Sequence, residues 1–300
     1  MLSILLPAYD TDVRDIIRDL HTQAQSLSID YEIICLDDDP QSLAWETNQE
    51  LTTMGNVLLQ RNTSNLGRAG NRNRLAQLAR YSSLLYIDAD SSIIHSNYLS
   101  TYVQAAQNSQ WVYGGTSYPE NCPEGCILHW SYGKQIEARG IAQRSGAGDF
   151  RSNNFLVHRD LMLAHPMDES LNRYGHEDTL WAHHMDSAGV PIRHVDNPVL
   201  HHGVYPDQIY LDRVAEASSH LAELTQRGIL PRITRLQRTD HRFDIPVVRQ
   251  IVDSYLRTRA QYFKSSLLSS FEQMDSRATK KQLSTLNWYK WSIYAASMRS

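Results

Sequence analysis

Short apolar runs bounded by polar sequence recur through the first two thirds of the chain, and each reads as a buried strand. Residues 2–7 form the first. Val13, Ile16, Ile17, Leu20, Ala24 and Leu27 then return at helical spacing, and a second strand over residues 31–36 runs out into Asp37, Asp38 and Asp39. A helical stretch near 43–54, a short strand near 57–59, a glycine-containing loop over 65–70 and a helix over 71–80 follow. The run Leu84-Leu85-Tyr86-Ile87 then delivers Asp88-Ala89-Asp90. This alternation predicts an α/β fold with a mostly parallel sheet and right-handed crossovers, whose ligands bind beyond the carboxyl ends of the strands. Asp38, Asp88 and Asp90 all lie at such ends.

The pattern continues as a helix over 96–108 and a strand over 111–115, then loosens. Residues 116–152 read as an irregular, partly helical excursion, and such excursions in compact domains are commonly functional. A strand returns at 153–157, a helix opens at Gly175-His176-Glu177-Asp178 with acids in its first turn, and a strand at 191–195 precedes a turn with paired histidines, His201 and His202. From about Asp207 the sequence is mostly helical.

Composition narrows the picture. The 300 residues are 41% hydrophobic and 21% charged, a globular balance. No apolar run approaches a membrane span, and no secretion signal opens the sequence, so a cytoplasmic location is expected. Three cysteines agree: Cys35 falls in a buried strand, and Cys122, Cys126 and His129 lack a fourth ligand for zinc. The sequon Asn62-Thr63-Ser64 has no meaning in that setting. The net charge of −4 hides an asymmetry, for residues 1–226 hold 15 Lys+Arg against 28 Asp+Glu (−13), and residues 227–300 hold 14 against 5 (+9). The expected division is therefore a catalytic domain over 1–226 and a basic helical extension over 227–300.

On an extended chain residues i and i+2 point the same way, so Asp88 and Asp90 can converge on one hard divalent cation. The competing reading is a strand running into an ordinary turn. The neighbouring motifs decide between them. Leu5-Leu6-Pro7-Ala8-Tyr9-Asp10, Ile33-Ile34-Cys35-Leu36-Asp37-Asp38, Asn65-Leu66-Gly67-Arg68-Ala69-Gly70-Asn71-Arg72-Asn73, Asp88-Ala89-Asp90 and Gly175-His176-Glu177-Asp178 resemble, in order and spacing, the motifs of family 2 glycosyltransferases. The resemblance covers roughly residues 1–205. It implies the GT-A fold, a three-layer α/β/α arrangement, and an inverting transfer of sugar from a nucleotide diphosphate donor, usually a UDP-sugar, with Mn2+ or Mg2+, in the manner of polysaccharide biosynthesis.

The residues carried over are these. Pro7, Ala8 and Tyr9 would form the base pocket and Asp38 would accept the uracil N–H. Arg68 or Arg72 would meet the donor phosphates, where a planar guanidinium makes paired bonds to oxyanions. Asp90 would hold the metal, with Asp88 toward the ribose or the metal, and His201 would be a third ligand with His202 its competitor. Asp178 would be the general base and Glu177 would help hold the acceptor, a saccharide or a lipid-linked glycan. Asn154 is expected to touch the donor sugar or acceptor, Trp181 to be core, and His176, His183 and His184 to be packing or surface residues. Asp39-Pro40 and Asp10 depart from the family's usual Gly-Ser and Asn.

Two readings stand for the basic tail: a helical appendage that packs on the catalytic domain or a second subunit, and an interfacial membrane contact at the inner face through Trp288, Tyr289, Lys290 and Trp291. Nucleic acid binding is not expected, because the basic residues are dispersed along helices. The rival functions are a nucleotidyltransferase that makes sugar nucleotides and a catalytically silent binding protein on the same fold. The first should carry a glycine-rich basic loop after its first strand, where Pro7-Ala8-Tyr9-Asp10 stands instead, and the second should lack Asp90 or Asp178. A dinucleotide-binding oxidoreductase is not expected, because no Gly-x-Gly-x-x-Gly follows the first strand.

Overall fold

The computed structural model describes residues 1–171, 173–231, 236–237, 249–271 and 280–298, with the backbone alone at 249–256, 270, 271 and 280. The chain runs through β1 (Leu2–Ala8), α1 (Arg14–Ser26), β2 (Tyr31–Asp37), α2 (Ala44–Asn48), β3 (Val57–Arg61), α3 (Gly67–Leu78) and β4 (Ser83–Ile87). It continues through β5 (Ser91–Ile93), α4 (Tyr98–Ala106), β6 (Trp111–Tyr113), β7 (Thr116–Ser117), α5 (Ile127–Tyr132), β8 (Asn154–His158) and α6 (Arg159–Ala164). The remainder is α7 (Glu177–Ser187), β9 (Arg193–His194), β10 (Val199–His201), α8 (Asp207–Gln226), α9 (Arg249–Phe271) and α10 (Lys280–Ser297).

Two units emerge from the packing. The first comprises Met1–Pro119, Glu137–Asn172 and Glu177–Gly203, and is built on a seven-stranded sheet in the order β3-β2-β1-β4-β8-β6-β9. Only β8 runs against its neighbours; the pairs among β1, β2, β3 and β4 and the β6–β9 pair are parallel. The apolar runs are continuous because both faces of the sheet are covered. Ile4, Leu6, Ile33, Cys35, Leu85 and Ile87 pack on one side with Ile17 and Leu20 of α1 and Leu99 and Tyr102 of α4. Leu5, Ile34, Leu36, Leu84 and Tyr86 pack on the other with Leu75 of α3, Phe155 of β8 and Trp181 of α7, so Trp181 is core. Pro7 costs no ladder bond to β4, whose pairing with β1 covers only Ser3 to Leu5.

A second, three-stranded sheet in the order β5-β10-β7 lies in the same unit. The turn expected around His201 is in fact a short strand, and its register sets His201 opposite Ser91. Conversely, the strand expected at 191–195 shrinks to the two residues of β9.

The second unit comprises Glu120–Ile136, Arg173–His176 and Val204–Ser300. Packing thus groups α8 with the C-terminal helices, whereas the change in charge separates them at Gln226. Its core joins Leu128, Leu211, Leu267, Leu286 and Tyr289. His129 lies flat on Tyr210 with ring centroids 4.3 Å apart and accepts the Tyr205 N–H at Nδ1, 2.8 Å away. Of the terminal aromatic cluster, Tyr289, Trp291 and Ala295 are interior and Trp288 is half exposed, so helical spacing there marks a packed face. Ile251, Val252, Tyr255 and Leu256, expected on one helix face, have side chains outside the described residues, as does the Ile245-Pro246 break. Among the described residues no helix is long and apolar enough to cross a membrane.

Four residues of this unit, 173–176, are held on α8. Arg173 pairs with Glu223 at 3.1 Å, the Tyr174 N–H donates to Glu216, and imidazole nitrogens of His176 and His220 lie 3.0 Å from the carbonyls of Ala217 and Gly175. His176 is therefore a packing residue, and its φ of 74° and that of Gly175 at 91° bend the backbone sharply just before α7.

Candidate active site

The carboxyl ends of β1, β2 and β4 present the expected acids. The turn after β1 is fixed by Asp10, whose carboxylate accepts the backbone N–H groups of Leu43 and Ala44 at 2.7 and 2.9 Å and whose own N–H donates to Asp37. Asp at this position does the capping, with φ at 44°. Ala8 is buried and accepts the Asp38 N–H, while Tyr9 is exposed, with its ring available as a platform. Asp38 is buried and accepts from Asn62 and from the Leu66 N–H, both at 2.8 Å. Burial raises its pKa, against the pull of those donors.

Around Asp88 the negative charge is already answered. Arg68 and Arg72 stand one turn apart on α3, so both guanidinium groups leave the same side. Arg72 is 2% exposed, donates to Asp88 Oδ1, and is braced by donation to the Arg68 carbonyl, while the Tyr86 hydroxyl donates to its own carbonyl. Arg68 spans two acids, donating from Nε to Glu177 at 2.6 Å and approaching Asp88 at 3.7 Å. Burial would lift the Glu177 pKa, but the charges of Arg68 and Arg72 outweigh it and the net direction is down. One residue on, burial and the Glu177 charge push Asp178 up, with Arg151 and Arg68 opposing. Asp178 Oδ1 accepts the Thr179 N–H at 2.7 Å, a bond within the first turn of α7 that orients the carboxylate.

Around Asp90 the arrangement is different. The antiparallel β5–β10 ladder brings His201 Nδ1 to 3.2 Å from Asp90 Oδ1, yet both atoms are buried without a hydrogen-bond partner. The His202 N–H donates to the Asp90 carbonyl, and His202 Nε2 lies 2.7 Å from Ser92 Oγ, so the second histidine is occupied elsewhere. Gly203 is required by space, because a Cβ there would overlap the Asp90 carboxylate and come within 2.7 Å of His201 Cε1. Burial lowers the His201 pKa and raises that of Asp90, but mutual attraction prevails in both, so His201 is net raised and Asp90 net lowered.

Two orphaned polar atoms facing each other at such a separation fit the ligand sphere of one hard cation, which takes oxygen and imidazole donors and fills other positions with water or phosphate. No cluster of three or more His, Cys, Asp or Glu that could hold a metal occurs among the described residues, and Asp88 is turned instead to the arginines. The chain thus offers Asp90 and His201, with the remaining positions left to solvent and ligand.

Asn154, expected to touch the donor sugar or acceptor, is taken up by the scaffold in this structure. It is fully buried, accepts from the hydroxyls of Tyr98 and Tyr102 at 2.6 and 2.7 Å, and donates to the carbonyls of Gly115 and Asn197 at 2.8 and 2.9 Å. All four of its bonding positions are used by the scaffold, and the partly buried Asn153, bonded to Thr116, borders the Asp88 backbone instead. The motifs also miss Tyr118, whose ring meets His201 edge to face at 5.6 Å and whose hydroxyl donates to Glu137, and Arg151, whose charge acts on Asp178. Both come from the irregular excursion, where only its length signalled a role.

A sequence profile described as "Glycosyl transferase family 2" matches residues 3–161. Among curated proteins none matches the chain. Solved structures that resemble it include the mannosyltransferase PcManGT from Pyrobaculum calidifontis in complex with GDP-Man and Mn2+, 14% identical with a TM-score of 0.58 over 99% of this chain and 85% of that one. S. aureus TarS 1-349 in complex with UDP is 14% identical, with a TM-score of 0.53 over 99% and 89% of the two chains. The same TarS fragment in complex with UDP-GlcNAc is 13% identical, with a TM-score of 0.52 over the same shares. Similarity at this level establishes a shared fold.

Proposed function

Because the chain belongs to glycosyl transferase family 2 and is a glycosyltransferase, we propose that it uses a divalent cation and inverts the configuration of the sugar it transfers. The donor is a nucleotide diphosphate sugar, a UDP-sugar, and the acceptor is a hydroxyl of a saccharide or lipid-linked glycan. The supporting observation is the pairing of two unlike half-sites on one loop: Asp88 tied through Arg68 to Glu177, and Asp90 facing His201. The solved relatives hold UDP, UDP-GlcNAc, GDP-Man and Mn2+, ligands of the class assigned here.

Pro7, Ala8 and Tyr9 bind the base, and Asp38, with two donors already on it, takes the base N–H on its other oxygen. Asp90 and His201 would hold the Mn2+ or Mg2+, which when bound neutralises the charge of the departing diphosphate. Arg68, half exposed, faces the donor phosphates while Arg72 fixes Asp88 beneath it. Asp178 takes the proton from the acceptor hydroxyl as its oxygen attacks the anomeric carbon, the bond to the diphosphate breaking on the opposite face. The raised pKa of Asp178 makes it a better base than an ordinary carboxylate, and Glu177, held ionised by Arg68, orients the acceptor.

A thermal-shift panel of UDP, GDP, CMP and dTDP sugars, each with Mn2+, Mg2+ or EDTA, tests the reading. UDP-sugars are expected to stabilise the wild-type protein with metal, by about 2.7 kcal/mol at a hundred times the dissociation constant, and to fail on Asp90→Asn. Stabilisation by GDP-sugars alone would reassign the donor. No shift with any nucleotide would overturn the proposal.

A further inference from the structure

A third polar atom shares the predicament of Asp90 Oδ1 and His201 Nδ1. Ser91 is 4% exposed, and its hydroxyl is buried without a hydrogen-bond partner. A buried hydroxyl left unpaired costs free energy, and native structures keep few of them. Its neighbour Ser92 shows what an ordinary serine does on this ladder, since it is bonded to His202.

The register says where the Ser91 side chain goes. Ser91 and His201 are directly opposed in the antiparallel β5–β10 pair, so their side chains leave the same face of the small sheet. Ser92 is paired with Leu200 and therefore shares the other face with His202, as their bond confirms. The face that carries Ser91 and His201 also carries Val199, which is fully buried, so it is the inward one. Three unsatisfied atoms, a carboxylate oxygen, an imidazole nitrogen and a hydroxyl oxygen, thus come from positions 90, 91 and 201.

Resting on the reading of Asp90 and His201 as a cation site, we propose that the Ser91 hydroxyl is a further ligand of the same divalent cation. Serine and threonine hydroxyls serve Mg2+ in this way in other phosphate-handling sites. A hydroxyl is neutral, so it adds an oxygen ligand without the charge of another carboxylate. It also orders the metals, because oxygen donors suit Mg2+ and Mn2+ over softer ions.

The test is binding of the metal itself, by electron paramagnetic resonance of Mn2+ and by calorimetry, on full-length protein with UDP present. Ser91→Ala is expected to weaken Mn2+ at least tenfold and Ser91→Thr to restore it, with thermal unfolding recorded for both to confirm the fold. Ser91→Cys is expected to move the preference from Mn2+ toward the thiophilic Cd2+ relative to wild type, a shift that a merely structural serine would not produce. Wild-type Mn2+ affinity in Ser91→Ala, or no change of preference in Ser91→Cys, would overturn the assignment, and if Asp90→Asn still loses Mn2+ the two-ligand site stands without Ser91. Failure of the wild-type protein itself to bind Mn2+ would overturn both.

Discussion

Asp88 and Asp90 are two residues apart on one loop and live in opposite electrostatic worlds. Asp88 is fixed by two arginines, one of them wholly buried, whereas Asp90 and His201 face each other, at 3.2 Å and without hydrogen-bond geometry. A carboxylate enclosed by guanidinium groups is part of the architecture, because removing one partner strands a charge. A carboxylate facing an imidazole without hydrogen-bond geometry is a pair of donors suited to one cation. Sequence spacing treats the two as equals; their neighbours on α3 and β10 do not.

Five substitutions sharpen that contrast. Asp178→Asn, beside the arginine-bound Glu177, should lower kcat by roughly 10²–10⁴-fold with donor binding retained, as measured in steady-state assays. The acid limb of kcat/KM should disappear with it: in the wild type, rate falls as pH drops through the raised pKa of Asp178 and the base is protonated. Arg72→Met should cost stability, about 3–5 kcal/mol in chemical denaturation, and adding Asp88→Asn should return much of it. An unchanged denaturation midpoint would place Asp88 among the ligands rather than in the scaffold. Asp90→Asn should do the reverse, lowering kcat by roughly 10²–10³-fold and abolishing the response to metal while leaving denaturation almost unmoved. The smallest effect is expected for Arg151→Gln, which removes a cation that holds the Asp178 pKa down and should move the acid limb to higher pH.

The sheet was legible because its central strands are apolar on both faces, and the acids stood out as the polar residues ending each run. Helix spacing found α1, and glycine with first-turn acids found α7. What the chain could not announce is the β5-β10-β7 sheet, whose strands are two or three residues long and carry no periodicity. That sheet decides which histidine faces Asp90, and its register sets Ser91 opposite His201. Asn154 belongs to the same lesson: its place beside the site is legible in sequence, its scaffold partners Tyr98, Tyr102, Gly115 and Asn197 are not. The terminal aromatic stripe, for which packing and a membrane surface both stood open, divides in the fold: Trp291 is buried and Trp288 half exposed.

The β5–β10 ladder also ties the two ends of a long segment together, since β5 forms near the first third of the chain and β10 near the second. Pairings between distant positions form late and slowly, because the intervening chain must lose its freedom first. A cation held as proposed by Asp90 and His201 would act as a clasp across that closure, and by mass action it would favour the state in which the loop is shut. Under the proposed function, refolding with Mn2+ present would speed or stabilise the last stage, the closing of that loop, and leave the assembly of β1, β2 and β4 unaffected.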